Sequence, residues 1–118
     1  MKTSLAVLAL AGFAASAITT GAAAAAEVVG NPKAAPAKIE MCIGCHGIPG
    51  YKSGFPEVYR VPMIGGQSAK YIESALKAYR KGERKNPSMM GIAASLSDQD
   101  IADVAAYYSQ QTPATAKR

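Results

Sequence analysis

Apolar residues recur at helical spacing in two stretches of this chain. In "SAKYIESALKAYRKG", Ile72, Ala75, Leu76 and Tyr79 share one face at a 3.6-residue period, with Ser68 placed to cap the start and Gly82 to stop the end. Glu73 and Lys77 add a favourable pair one turn apart. In "SLSDQDIADVAAYYSQQ", a second stripe joins Ile101, Val104, Ala105 and Tyr108. It opens on a capping box, Ser97-x-x-Asp100, and ends at Thr112-Pro113. A shorter run from Ala37 to about Cys45 sets Ile39, Cys42, Ile43 and His46 at helical intervals.

The segments between these stripes carry glycine and proline every few residues. "HGIPGYKSGFPEVYRVPMIGGQ" reads as a long loop and "ERKNPSMMG" as a second one. Loops of the first length are uncommon in small domains unless they serve a function. No segment alternates with the period of a strand, and no repeat is visible. The pattern predicts an all-α domain of three main helices joined by long loops.

Composition sharpens this once the N-terminus is set aside. Lys2, the apolar run "LAVLALAGFAASAI" and the small residues before Glu27 form an export signal, with cleavage expected after Ala26. The run is too short and too rich in alanine and glycine for a membrane span. The expected organisation is a cleaved signal peptide over 1–26, a flexible lead-in over 27–36, a domain over 37–111 and a tail over 112–118, with the mature protein in the periplasm. The 49% hydrophobic content is inflated by signal alanines, and the chain has no Trp and two Phe, one of them Phe13 in the signal. A domain this small usually needs a staple beyond its own core. A Cys42–Cys45 disulfide would close a tiny loop and restrain little of the unfolded chain.

The segment "EMCIGCHGIPG" holds both cysteines and the single histidine. Structural zinc wants four ligands, usually Cys and His, and this chain has too few. A thioredoxin-like dithiol sits beside a βαβ pattern, and no strand pattern precedes Glu40. Covalent haem attachment accounts for each residue. Cysteines at i and i+3 on a helix project to one side, where two thioethers can form along one porphyrin edge. His46 then reaches the iron from the same face, and Cys-x-x-Cys-His is the c-type haem attachment signature. A bound haem would supply the large flat hydrophobe that the core lacks.

The opposite face of the iron needs a second His, a Met thioether or an open position. With no second His, the candidates are Met41, Met63, Met89 and Met90. Met41 adjoins the attachment motif and Met63 follows Pro62, which puts both on the His46 side. Met89 and Met90 precede the last helix, which can cross to the other face.

"CIGCHG", then "VPMIGGQ", then "YRKGERKNPSMMGIAASLSDQDIADVAAYY" resembles the class I monohaem c-type cytochromes of bacterial periplasms. The likeness runs from about Ala37 to Tyr108. It is similar to the small kind that also occurs as one half of dihaem cytochromes and as a haem subunit of flavocytochromes. The resemblance implies the cytochrome c fold wrapped around one covalently attached haem c. It implies Cys42 and Cys45 as thioether attachments and His46 as the proximal iron ligand. Pro62 would accept a hydrogen bond from the His46 Nδ1–H through its carbonyl. In the family pattern the ligand Met lies seven residues before a Leu preceding the final cap; counting back from Leu96 reaches Met89, with Met90 next in line. Tyr79, Arg80 and Arg84 fall where the family often contacts the haem propionates.

The expected function is therefore periplasmic electron transfer on a His/Met-ligated haem, without enzymatic turnover. The alternatives are a haem c subunit of a larger flavin-dependent dehydrogenase complex and a ligand-binding haem sensor with an open sixth position. The net charge of +5 falls to +4 once Lys2, the one charged residue of the signal, is removed. Lys70, Lys77, Lys81, Arg84 and Lys85 concentrate it around the middle helix, which suits redox protein donors and acceptors with acidic patches, a flavoprotein or oxidase among them. Nucleic acid is not an expected partner, nor is a stable membrane span after signal cleavage.

Overall fold

The computed structural model describes residues 26–54 and 58–112. The signal peptide expected over 1–26, except Ala26, and residues 113–118 of the tail lie outside the described residues. The order is a 3-10 turn (Ala35–Ala37), α1 (Glu40–His46), β1 (Lys52–Ser53), β2 (Tyr59–Arg60), α2 (Ala69–Arg80), α3 (Pro87–Ala94) and α4 (Asp98–Ser109).

Each long helix is delimited by the residues that flank it. The Ser68 hydroxyl accepts from the Tyr71 N–H at 3.1 Å and opens α2. Gly82, at φ +75°, closes it in the left-handed conformation that glycine takes without steric cost. There the Gly82 N–H reaches the Tyr79 carbonyl at 3.1 Å and the Glu83 N–H the Ala78 carbonyl at 2.9 Å, the pattern of a Schellman cap. The capping box of α4 forms in both directions, Asp100 N–H to Ser97 Oγ at 3.1 Å and Ser97 N–H to Asp100 Oδ2 at 3.0 Å.

Two features differ from the expected three helices and bare loops. α3 forms within the segment read as a second loop. Asn86 caps it by accepting from the Met89 N–H at 3.0 Å, and Pro87 occupies the first helical turn, where its missing N–H costs nothing. The first long loop contains a two-residue antiparallel ribbon that pairs Lys52 with Arg60 and Ser53 with Tyr59. The Val61 N–H extends it to the Tyr51 carbonyl at 3.0 Å. Strands this short bury almost nothing, which is why no alternation betrays them in the sequence. The architecture remains all-α.

The core lies where α4 crosses α2, with α3 and the 3-10 turn packed alongside. Ile101 and Val104 are the largest fully buried side chains, and Ile72, Leu76, Ala93 and Leu96 close around them. The 27–36 lead-in, expected to be flexible, is tied to α4. The Asn31 N–H donates to Asp103 Oδ1 at 2.7 Å, and Gln99 Nε2 donates to the Val29 carbonyl at 3.0 Å. Gly30 runs so close that a Cβ there would overlap the Ala102 carbonyl. Lys38 completes the clasp with an ion pair to Asp100.

Candidate cofactor site

α1 is short because little holds it locally. Its N-cap, Ile39, offers no side-chain hydrogen bond, although Glu40 in the first turn complements the helix dipole. Its position comes from packing: Ile39 and Cys42 are buried in the core, and Cys45 and His46 follow on the next turn. The cysteines are free thiols. Burial, the largest influence, pushes the Cys42 thiol above its ordinary value, with the Tyr108 hydroxyl opposing and Cys45 adding to the rise. A buried thiol held protonated is unlike the electropositive, partly exposed cysteine of a redox dithiol.

Cys42, Cys45 and His46 open onto one cavity of about 500 Å3. That volume falls in the range of small-molecule and cofactor sites. Its walls are mainly apolar, with Ile72 and Leu76 of α2, Ile92 of α3, Leu96, and Val104 of α4 among them. The loop between α1 and α2 supplies Tyr59 to Ile64 along one side. A larger hollow of about 700 Å3 lies between the lead-in and α2, but charged residues such as Glu27, Lys70, Glu73 and Lys77 line it and none of the candidate ligands reaches it.

His46 Nδ1 stands 2.6 Å from the Pro62 carbonyl oxygen. A carbonyl can only accept, so Nδ1 carries the proton and Nε2 is left as the free donor of an electron pair. Of the two neighbouring methionines, Met89 is half-buried, packs against the core and lines the cavity, whereas Met90 is 37% exposed and does not line it. Met41 and Met63 also border the cavity, at 46% and 39% exposure. The site thus presents two thiols, one imidazole nitrogen and a thioether around an apolar space. That donor set suits haem. Among the described residues no group of three or more His, Cys, Asp or Glu could hold a bare metal ion.

The basic residues divide. Arg84 stacks its guanidinium over the Tyr79 ring at 4.7 Å and donates to the Tyr71 hydroxyl at 3.3 Å, and all three line the cavity with Lys85. Arg80 turns elsewhere, to the Leu96 carbonyl at 3.0 Å and Asp98 Oδ1 at 2.5 Å, where it ties α2 to the start of α4. Lys77 pairs with Glu73 at 3.5 Å, as the spacing predicted. Sequence reasoning missed Tyr59, Arg60 and Tyr71 as parts of the wall. The first two had a faint signal, since "YRVPMI" runs directly into the Pro62 segment.

The cytochrome c family model matches residues 22–112. Cytochrome c-554(548) of Halomonas halodenitrificans is 48% identical over 85 residues, which span 70% of this chain and 98% of that protein. Cytochrome c4 of Pseudomonas aeruginosa is 35% identical over 94 residues, 80% of this chain but 45% of the relative, so the chain spans about half of that protein. A thiosulfate dehydrogenase electron acceptor of Stutzerimonas stutzeri is 39% identical over 74 residues, 60% of this chain and 32% of the relative.

Proposed function

The chain belongs to the cytochrome c family, and from that premise we propose a periplasmic electron carrier whose haem is held by Cys42 and Cys45 and ligated by His46 and Met89. Family membership makes it an electron-transfer haem protein with covalently bound haem c. The haem supplies a one-electron Fe(II)/Fe(III) couple when bound. The observation that carries the ligand assignment is the His46 Nδ1 to Pro62 contact of 2.6 Å beside a cavity that also takes in Cys42, Cys45 and Met89.

The residues divide the work. Pro62 holds the imidazole in one tautomer and one orientation and raises the basicity of Nε2. Met89 offers a soft thioether that favours the ferrous state and so raises the potential. Ile72, Leu76, Leu96 and Val104 exclude water and keep the dielectric low, which disfavours the extra charge of the ferric form. Arg60, Arg84 and Lys85 place positive charge at the cavity wall, where it would steer acidic redox partners and lose that effect as salt rises. The carrier reading is supported by the names of the relatives, which are cytochromes c and an electron acceptor. An enzyme that reduces or oxidises the carrier, of the dehydrogenase kind named for the Stutzerimonas relative, is a fitting partner class.

The test is optical and electrochemical. The ferric protein is expected to show the far-red sulfur-to-iron charge-transfer band, and the ferrous protein to refuse carbon monoxide. Met89→Ala is expected to lose the band and lower the midpoint potential, while Met90→Ala keeps both. A band that survives Met89→Ala overturns the distal assignment. A flavoprotein that co-purifies stably on size exclusion would replace the carrier with the enzyme-subunit reading.

A further inference from the structure

The Tyr108 side chain is 3% exposed, and its hydroxyl is buried without a hydrogen-bond partner. Buried tyrosine hydroxyls are nearly always paired, because an unpaired one forfeits its hydration for nothing. Tyr107 packs edge-on against the Tyr108 ring at 5.3 Å, and the Tyr108 carbonyl accepts from the Gly66 N–H at 2.8 Å. Cys42 belongs to the same buried cluster, and its sulfur lies near enough to the hydroxyl for the two to influence each other. Each affects the other's ionisation: burial and then Cys42 push Tyr108 up, and Tyr108 opposes the rise at Cys42.

Attachment of haem changes what that sulfur can do. The S–H of Cys42 adds across a vinyl double bond; sulfur bonds one carbon, the hydrogen goes to the other, and no oxidant is consumed. The sulfur keeps its lone pairs and loses its only proton. A thiol can donate or accept, but a thioether can only accept. With the sulfur left as an acceptor, the phenol becomes the donor of the pair.

We infer that Tyr108 is a positioning residue for the attached cofactor, donating its hydroxyl hydrogen to the thioether sulfur of Cys42. The inference rests on the haem-attachment reading of Cys42. The bond draws electron density from the sulfur and so favours the electron-rich ferrous state. It also fixes the Cys42 side of the porphyrin to α4, the helix that carries the core.

The experiment uses the haem-loaded protein in a double-mutant cycle of Tyr108→Phe, Cys42→Ala and the pair. The readouts are the midpoint potential and the resonance Raman C–S stretching modes in H2O and D2O. The expected result is a C–S mode that shifts in D2O and ceases to do so in Tyr108→Phe, with a lowered potential. In the Cys42→Ala background, Tyr108→Phe is expected to move neither. An equal potential shift in both backgrounds overturns the inference. So does a wild-type C–S mode indifferent to D2O, or a Tyr108→Phe protein that is more stable, as expected when a partnerless buried hydroxyl is deleted. If Cys42→Ala fails to retain haem, the isotope response of wild type and Tyr108→Phe decides alone. Failure of the parent reading looks different: intact mass of the wild type would then show no haem added to the chain.

Discussion

At the α2–α4 crossing, Ile101, Ala93 and Ala105 are fully buried and border no part of the cavity, so protein meets protein around them. Beside it Ile72, Leu76, Leu96 and Val104 turn to a cavity of about 500 Å3, and two of the methionines there stay partly open, Met41 at 46% and Met63 at 39% exposure. The crossing is held by apolar side chains at helical spacing together with caps at both helix starts. The cavity wall is held by a short helix, a two-residue ribbon and a loop pinned through Pro62. The contrast says where the chain finishes its own core and where it builds a half-core for the cofactor. A domain of this size can afford only one complete core, and the staple takes the place of the other.

The largest effect is expected from removing the attachment. Cys42→Ala combined with Cys45→Ala should abolish covalent haem, seen as loss of the haem mass from the intact protein. Helical circular dichroism should fall with it, because the cavity wall loses what it packs against. Full helicity without haem would break the comparison, since the wall would then be self-sufficient.

Ile101→Ala strikes the other region. It should cost about 2–5 kcal/mol in denaturant unfolding, the range for truncating a large aliphatic in a core that cannot collapse around the hole. The haem spectrum should stay unchanged at room temperature. A changed axial-ligand spectrum would show that the crossing and the cavity are not separable.

Asp103 tests the clasp behind the crossing. The Asn31 N–H first, then Gln99 and Lys38, hold its carboxyl below the ordinary value of 3.8. A carboxyl lowered in the folded state stabilises above its unfolded value and loses that contribution as pH falls through the folded one. Asp103→Ala should therefore cost about 1.5–3 kcal/mol near neutral pH, the range for hydrogen bonds to a charged group. The deficit relative to wild type should shrink below about pH 4. A deficit independent of pH would assign the effect to packing.

The smallest expected effect is at Asn86, whose cap holds the Met89 N–H. Asn86→Ala should cost about 1 kcal/mol, in line with lost N-caps. On the proposed ligation it should also weaken the sulfur–iron band at a lower temperature than in wild type. Equal loss of stability without any change in the band would detach α3 from the distal ligand.

Much of this was legible beforehand. The stripes of α2 and α4 show because long amphipathic helices repeat their burial pattern several times, and Ser68, Gly82 and Ser97 punctuate them locally. α3 was hidden although its signal, Asn86 followed by Pro87, stood in the open. Its apolar residues lie all round the helix, so the segment has no stripe to read. The ribbon was invisible because two residues per strand make no pattern.

By itself, the sequence determined the chemistry at one edge of the site. Spacing along one helix is enough to bring Cys42, Cys45 and His46 to the same side, because those residues lie within about one turn of each other. Only the tertiary structure decided what faces them. Met89 and Met90 are chemically equal and adjacent, and the way α3 sits on α2 brings the first to the cavity and leaves the second at the surface. The same holds for Arg80 and Arg84: one is spent on the start of α4, and the other reaches the cavity. Contacts between residues distant in the chain depend on how helices cross, and no local spacing encodes that.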